Sequence, residues 1–141
     1  MKYSKKKIIK ALLFTPLPLL FFSCLIFMII NSEFKLSAIF AVFFGHGLVY
    51  LAYCILAVPF GFIISAVLNR FGILNLITIS LSSIVMAFAF FTFLQWGHTG
   101  DTSKEWWKLY TNIPAIIMAL FPGLCYWIFL TTLKDKEPLK M

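Results

Sequence analysis

The residues best suited to chemistry form a small polar group inside an otherwise apolar run. His46 stands between Gly45 and Gly47, and Tyr50 and Tyr53 follow at helical spacing. An ionisable side chain inside a membrane span is the default sign of a transport or binding path. The structural alternative is a neutral imidazole that hydrogen-bonds a hydroxyl or carbonyl on a neighbouring helix, with the glycines leaving room for close approach.

The rest of the chain lacks the groups that catalysis needs. It contains two histidines, no Asp or Glu inside its long apolar runs, and no Ser-His-acid order, glycine-rich phosphate loop or H-E-x-x-H motif. We therefore expect no enzyme activity and no cofactor. Four polar residues could in principle ligate a divalent metal, but their spacing fits no known ligand pattern, and solvated loop residues explain them equally well: Glu33, His98, Asp101 and Glu105.

The three cysteines, Cys24, Cys54 and Cys125, are predicted to be small packing residues. Each lies inside an apolar run, and none belongs to a C-x-x-C pair.

Composition places these residues in a membrane. The chain has 141 residues, of which 62% are hydrophobic and 12% are charged, whereas charged residues make up about a quarter of a soluble domain. We predict a single all-α membrane domain, a four-transmembrane-helix antiparallel bundle, with spans at residues 8–30, 36–68, 73–94 and 113–133. The run at 8–30 is long enough to cross the bilayer and is followed by no small-x-small cleavage site, which favours an uncleaved first span over a signal peptide.

The long run from Leu36 to Arg70 organises this bundle. As one helix its 35 residues would reach roughly 50 Å, beyond a bilayer core of about 30 Å. It could be one bent helix, or a shorter span preceded by an interfacial segment that breaks near Gly45 and Gly47. We favour the bent helix.

Prolines and small residues predict where helices bend and pack. Prolines inside a span remove backbone donors, and in lipid the freed carbonyls need another partner; the predicted kinks are at Pro16, Pro18, Pro59 and Pro122. Small residues at four-residue spacing let another backbone approach closely. These predicted packing positions are Ala57, Gly61 and Ser65, then Ala115, Ala119 and Gly123, together with Gly45 and Gly47.

The polar segment between the third and fourth spans carries most of the tryptophans. Thr102 followed by Glu105 fits a capping box. The aromatic residues that follow indicate a short interfacial helix at the headgroup level. The predicted interfacial anchors are Trp96, Trp106, Trp107 and Tyr110.

The positive charges predict the orientation of the spans. With four spans, the side that holds both termini collects nine Lys and Arg and two acidic residues, a net charge of +7, whereas the other side is neutral. The positive-inside rule then places both termini in the cytoplasm. Because these charges stand at the ends of spans, we expect the lipid bilayer as a partner and no nucleic acid.

Polar residues in the first half of the third span allow three interpretations. Hydroxyls can bond carbonyls in their own helix, can bond a neighbouring helix, or can line a hydrophilic path. These residues are Asn75, Thr78, Ser80, Ser82 and Ser83.

Two function classes remain open. The favoured one is a non-enzymatic accessory, regulatory or immunity-type protein of the bacterial inner membrane, acting by helix–helix contact with a membrane partner or by self-association. The alternative is an oligomeric channel or transporter for ions or small solutes that uses His46 and the hydroxyl-rich third span. Small four-span multidrug exporters carry a glutamate in their first span that binds proton and cation in turn. Residues 8–30 contain no glutamate, and this weighs against a proton-coupled exporter.

Overall fold

The structure, a computed structural model, describes residues 3–31, 35–100, 108 and 111–133, with Leu94 and His98 described by their backbone alone. The regular elements of this part of the chain are five helices. They are α1 (Lys5–Phe14), α2 (Leu17–Asn31), α3 (Leu36–Arg70), α4 (Leu76–Thr99) and α5 (Ile113–Thr132).

The described chain is a multi-pass, all-helical bundle, as composition predicted. Four of its segments are long and apolar enough to cross a membrane: Lys5–Asn31, Leu36–Arg70, Leu76–Gly97 and Ile113–Thr132. The expected interfacial helix, with Trp106, Trp107 and Tyr110, lies outside the described residues.

The first span is two helices, where the sequence predicted one kinked run. The turn between α1 and α2 contains Thr15 and Pro16. The backbone N–H and the hydroxyl of Thr15 both donate to the Ala11 carbonyl, at 3.0 and 2.7 Å, and this satisfies the end of α1. Helical bonding resumes where the Leu20 N–H donates to the Pro16 carbonyl at 2.9 Å.

The second span is one helix throughout. α3 continues through Gly45 and Gly47 and through Pro59, so it does not break at either position. Its 35 residues make it roughly 52 Å long. In the same way, α5 continues through Pro122.

A capping box sets the start of α4, three residues after the predicted start at Ile73. The Thr78 N–H donates to Asn75 Oδ1 at 3.0 Å, and the Asn75 N–H donates to Thr78 Oγ1 at 3.1 Å. The helix extends to Thr99, beyond the predicted end, and stops at Gly100, whose φ of 74° is accessible to glycine without strain.

The best-buried part of the bundle lies where α1 begins and α5 ends. A cluster there contains Ile8 and Leu12 of α1, Leu74 of the α3–α4 turn, Ile79 of α4 and Leu130 of α5.

A two-way hydrogen bond ties the chain before α1 to the end of α3. Asn69 is 2% exposed. Its Oδ1 accepts from the Tyr3 N–H at 3.1 Å, and its Nδ2 donates to the Tyr3 carbonyl at 2.8 Å.

Small residues set the close approach of α4 and α5, the two helices that pack most extensively. A Cβ atom added at Gly123 would lie 2.9 Å from Ser83 Cβ. Ser83 uses this closeness to donate its hydroxyl to the Ala119 carbonyl at 2.6 Å. Gly61 plays the same part between α3 and α1, where an added Cβ would lie 3.0 Å from Leu12 Cδ2.

This packing predicts that one Gly→Leu substitution lowers the stability of the protein and that another does not. Gly123→Leu forces α5 away from Ser83 and should lower the free energy of unfolding by about 1–3 kcal/mol. Gly97→Leu is the control, because a Cβ there meets nothing within 4 Å. Thermal unfolding of both variants in the same detergent measures the difference. Equal stability of the two would show that α4 and α5 do not meet at Gly123.

Candidate functional site

The three predicted polar residues lie on one face of α3 and reach the first span. Tyr50 donates its hydroxyl to the Leu13 carbonyl at 3.2 Å, and Tyr53 donates to the Leu12 carbonyl at 3.1 Å. His46, one turn before Tyr50, reaches α2. We call this row of contacts the polar seam: His46, Tyr50 and Tyr53 with Ser23 and the carbonyls of Leu12 and Leu13.

The two tyrosines act where Pro16 interrupts the first span. In a continuous helix the Leu12 carbonyl would accept from the N–H of residue 16, and proline has none. A carbonyl without a donor is costly in lipid, where no water replaces the lost bond. Tyr53 supplies that missing donor, and Tyr50 does the same for the adjacent carbonyl.

His46 bonds both its own helix and α2. Its Nδ1 lies 2.8 Å from the Val42 carbonyl oxygen, and its Nε2 lies 3.0 Å from Ser23 Oγ. Ser23 Oγ is also 2.9 Å from the Leu20 carbonyl oxygen. The imidazole is therefore held at both ring nitrogens, by the Val42 carbonyl and by Ser23.

The neutral His46 network has one hydrogen fewer than its contacts could use. The Val42 carbonyl can only accept, so Nδ1 carries a hydrogen, and in the neutral ring Nε2 is then an acceptor. Ser23 has one hydroxyl hydrogen, which can go to Nε2 or to the Leu20 carbonyl but not to both.

Three hydroxyl groups of the third span donate to backbone carbonyls. Ser82 donates to the Thr78 carbonyl at 2.7 Å, and Thr92 donates to the Phe88 carbonyl at 2.9 Å, both within α4. Ser83 donates to α5 as described. These bonds match the two structural interpretations of the span, back-bonding and interhelical bonding.

A cavity of about 190 Å³ lies between α3 and α4, with α1 and α5 forming its floor. Small residues of the predicted stripe on α3, Ala57, Gly61 and Ser65, line one wall, and Ala87 lines the other. The backbones of α3 and α4 approach each other in few places, so this space is a partly open groove. We call it the α3–α4 groove.

Tyr126 of α5 lines the α3–α4 groove and is 5% exposed. Ser65 of α3 lines the groove as well. The Tyr126 Oη is buried and has no hydrogen-bond partner among the described residues.

The remaining predicted site residues are dispersed. Cys24 is buried, and Cys54 and Cys125 are half-buried; all three are free thiols. Trp96 is 51% exposed near the end of α4, with its ring 6.2 Å from that of Phe93. The four residues weighed as metal ligands lie outside the described side chains, and the described part of the chain holds no cluster of metal-binding side chains.

The sequence singled out His46, Tyr50 and Tyr53 and the kind of partner that His46 would need, but it did not identify the partner residues. Ser23 is a single hydroxyl in an apolar helix, and nothing in its neighbours in sequence signals its role. The acceptors of the tyrosines are backbone carbonyls, which the sequence marks only through Pro16.

No family model matches the chain, and no curated protein or solved structure matches it significantly. Its function must therefore be argued from its own residues.

The proline break predicts how removal of the Tyr53 hydroxyl should behave. Tyr53→Phe leaves the Leu12 carbonyl without its donor and should cost about 1 kcal/mol, within the range for interhelical bonds in membranes. In a Pro16→Ala background the restored N–H can bond that carbonyl, so the cost should fall towards zero. Unfolding of the four proteins in detergent measures this. The control is Tyr126→Phe, which removes an unpartnered hydroxyl and should not destabilise. An unchanged cost of Tyr53→Phe after Pro16→Ala would contradict this assignment.

The His46–Ser23 contact predicts coupling between α2 and α3. Ser23→Ala and His46→Ala should each destabilise the protein, and their double variant should show an interaction energy of about 0.5–1.5 kcal/mol. Thr92→Ala is the matched control, since its hydroxyl bonds its own helix, and it should add independently to His46→Ala. A double-mutant cycle by thermal unfolding reads this out, and additive effects of Ser23→Ala and His46→Ala would refute the contact.

Proposed function

We propose that this protein is a non-enzymatic accessory, regulatory or immunity-type protein of the bacterial inner membrane. It acts by placing the first half of α3 against a transmembrane helix of another membrane protein. The observation that carries this proposal is the contrast between the glycines of the two halves of α3.

The glycines in the second half of α3 and in α5 are used inside the bundle, whereas those in the first half are open. Gly61 and Gly123 meet Leu12 and Ser83, while Cβ atoms added at Gly45 and Gly47 would meet nothing within 4 Å. Exposed glycine in a lipid-facing helix gives up side-chain contact area, and it allows another backbone to approach closely.

The first half of α3 also has few neighbours of its own. None of residues 36–49 is buried, and the side-chain hydrogen bond from this segment to another helix is that of His46 to Ser23. α2 in turn lies close to α3 and α1 but not to α4 or α5 within the described chain. A partner helix can therefore reach this surface without displacing part of the bundle.

The charges support an orientation with both termini in the cytoplasm. The buried cluster that contains Ile8 of α1 and Leu130 of α5 marks one end of the bundle. Four exposed basic residues belong to the segments at this end: Lys5, Lys6 and Lys10 of α1, and Arg70 at the end of α3. Basic residues gathered at one end of a bundle favour the cytoplasmic side.

We do not propose the channel, because the polar groups that would line it are engaged elsewhere. Ser82, Ser83 and Thr92 bond carbonyls of α4 or α5, and His46 lies at the contact with α2, away from the hydroxyls of α4. These hydroxyls keep acceptor lone pairs but have no hydrogen left to donate to a solute.

Gly45→Leu tests the proposed contact. The larger side chain should hold a partner helix away and reduce co-purification of the partner from gentle detergent at least tenfold. Gly97→Leu, the same change at another open helical glycine, should retain the partner. Cross-linking from position 41, one turn before Gly45, would identify what lies there. Wild-type protein that purifies alone as a monomer, or a Gly45→Leu variant that keeps its full complement, would refute this function.

A further inference from the structure

The α3–α4 groove is bounded by two helical faces that run along its length. The α4 wall contains Ile79, Met86 and Phe90, which share one face of the helix, and the α3 wall runs from Tyr53 to Leu68. At 1.5 Å per residue these walls extend roughly 16 and 22 Å. The groove is therefore elongated in the direction of the helix axes.

The small side chains on both walls explain why this space is unfilled. Ala57 and Gly61 line the α3 side of the groove, and Ser82 and Ala87 line the α4 side. Beside the groove, Phe60 and Phe90 meet edge-to-face with ring centroids 6.1 Å apart. An empty space of this size is unfavourable in a close-packed interior. A partly open groove within a membrane can instead be filled from the lipid phase.

The groove accepts an apolar occupant rather than a column of water. Four of the six hydroxyls that line it, those of Thr15, Tyr53, Ser82 and Ser83, donate to backbone carbonyls. The other two belong to Ser65 and Tyr126, which are each 5% exposed. The other wall atoms are predominantly aliphatic or aromatic, and a water molecule needs two or more polar partners to stay in such a site.

The end of the groove at Leu68 lies next to basic residues. Leu68 lines the groove there, and the exposed Arg70 follows two residues later at the end of α3. Lys5 and Lys6 begin α1 beside the same end of the bundle. The described charged side chains at this end are all basic.

From this geometry we propose that the α3–α4 groove binds one acyl chain of an anionic phospholipid, with the phosphate held near Arg70. The length of the groove suits an extended chain running parallel to the helices. The basic end suits a negatively charged headgroup, as in other lipid sites between transmembrane helices. The site goes beyond the partner contact proposed above, which uses the opposite half of α3.

The chain-binding part is tested by filling the groove. Titration of the detergent-purified protein with palmitoyl-oleoyl phosphatidylglycerol, followed by native mass spectrometry, should show one lipid retained by the wild type. Ala87→Leu fills the groove and should weaken this binding at least tenfold without lowering thermal stability. Ala89→Leu is the matched control, since Ala89 is exposed on the same helix and does not line the groove.

The headgroup part is tested separately by charge. Arg70→Gln should lower the affinity for phosphatidylglycerol to that for phosphatidylcholine with the same chains, while binding of phosphatidylcholine stays unchanged. Lys35→Gln, at the opposite end of α3, should have no effect, and glycerol phosphate without chains should not compete.

Each part has its own contradicting outcome. Unchanged lipid binding by Ala87→Leu would overturn the groove as the chain site, whether or not the variant changes its oligomeric state. A preference for phosphatidylglycerol that survives Arg70→Gln would overturn the assignment of the headgroup to that end.

Discussion

The constraint on which this bundle depends is that every backbone carbonyl in lipid needs a donor. The first span violates this constraint at Pro16, which gives the Leu12 carbonyl no N–H. Tyr50 and Tyr53 of α3 restore the balance from a neighbouring helix. The carbonyls left without a donor in the first span thus become acceptors for α3. These two bonds fix the axial position of α3 relative to α1.

The same constraint explains why the candidate site consists of separate bonds rather than a catalytic centre. His46 is held by the Val42 carbonyl and Ser23. Tyr50 and Tyr53, one and two turns further along α3, donate to the Leu13 and Leu12 carbonyls of α1. The hydrogen count leaves Ser23 with two acceptors for one hydrogen. The bond between α2 and α3 at this position therefore competes with a bond inside α2 for the single Ser23 hydrogen.

The fold was predictable where one property of the sequence decides the outcome. Long apolar runs without charge can satisfy their backbones only as helices, so the spans followed from composition and length. α4 begins three residues after the apolar run does at Ile73, because the Asn75–Thr78 capping box decides where helical bonding starts.

The packing partners were less predictable. The spacing of Ala57, Gly61 and Ser65 indicated a shared face, but not that this face would contact Leu12 and line a groove. The partners of His46 and the tyrosines were not predictable, because they depend on the axial register between helices.

The two halves of α3 have different physical roles. The half from Tyr50 to Arg70 bonds α1, lines the groove and ends at the buried Asn69, so its small residues serve contacts within the chain. The half before Tyr50 contains no buried residue and exposes Gly45 and Gly47. Stability of the bundle does not require glycine at those two positions, since an added Cβ meets no atom within 4 Å. A side chain would also improve helix propensity there by about 1 kcal/mol. The forfeited stability at Gly45 and Gly47 therefore supports the proposed contact outside the chain, on the half of α3 that contains no buried residue.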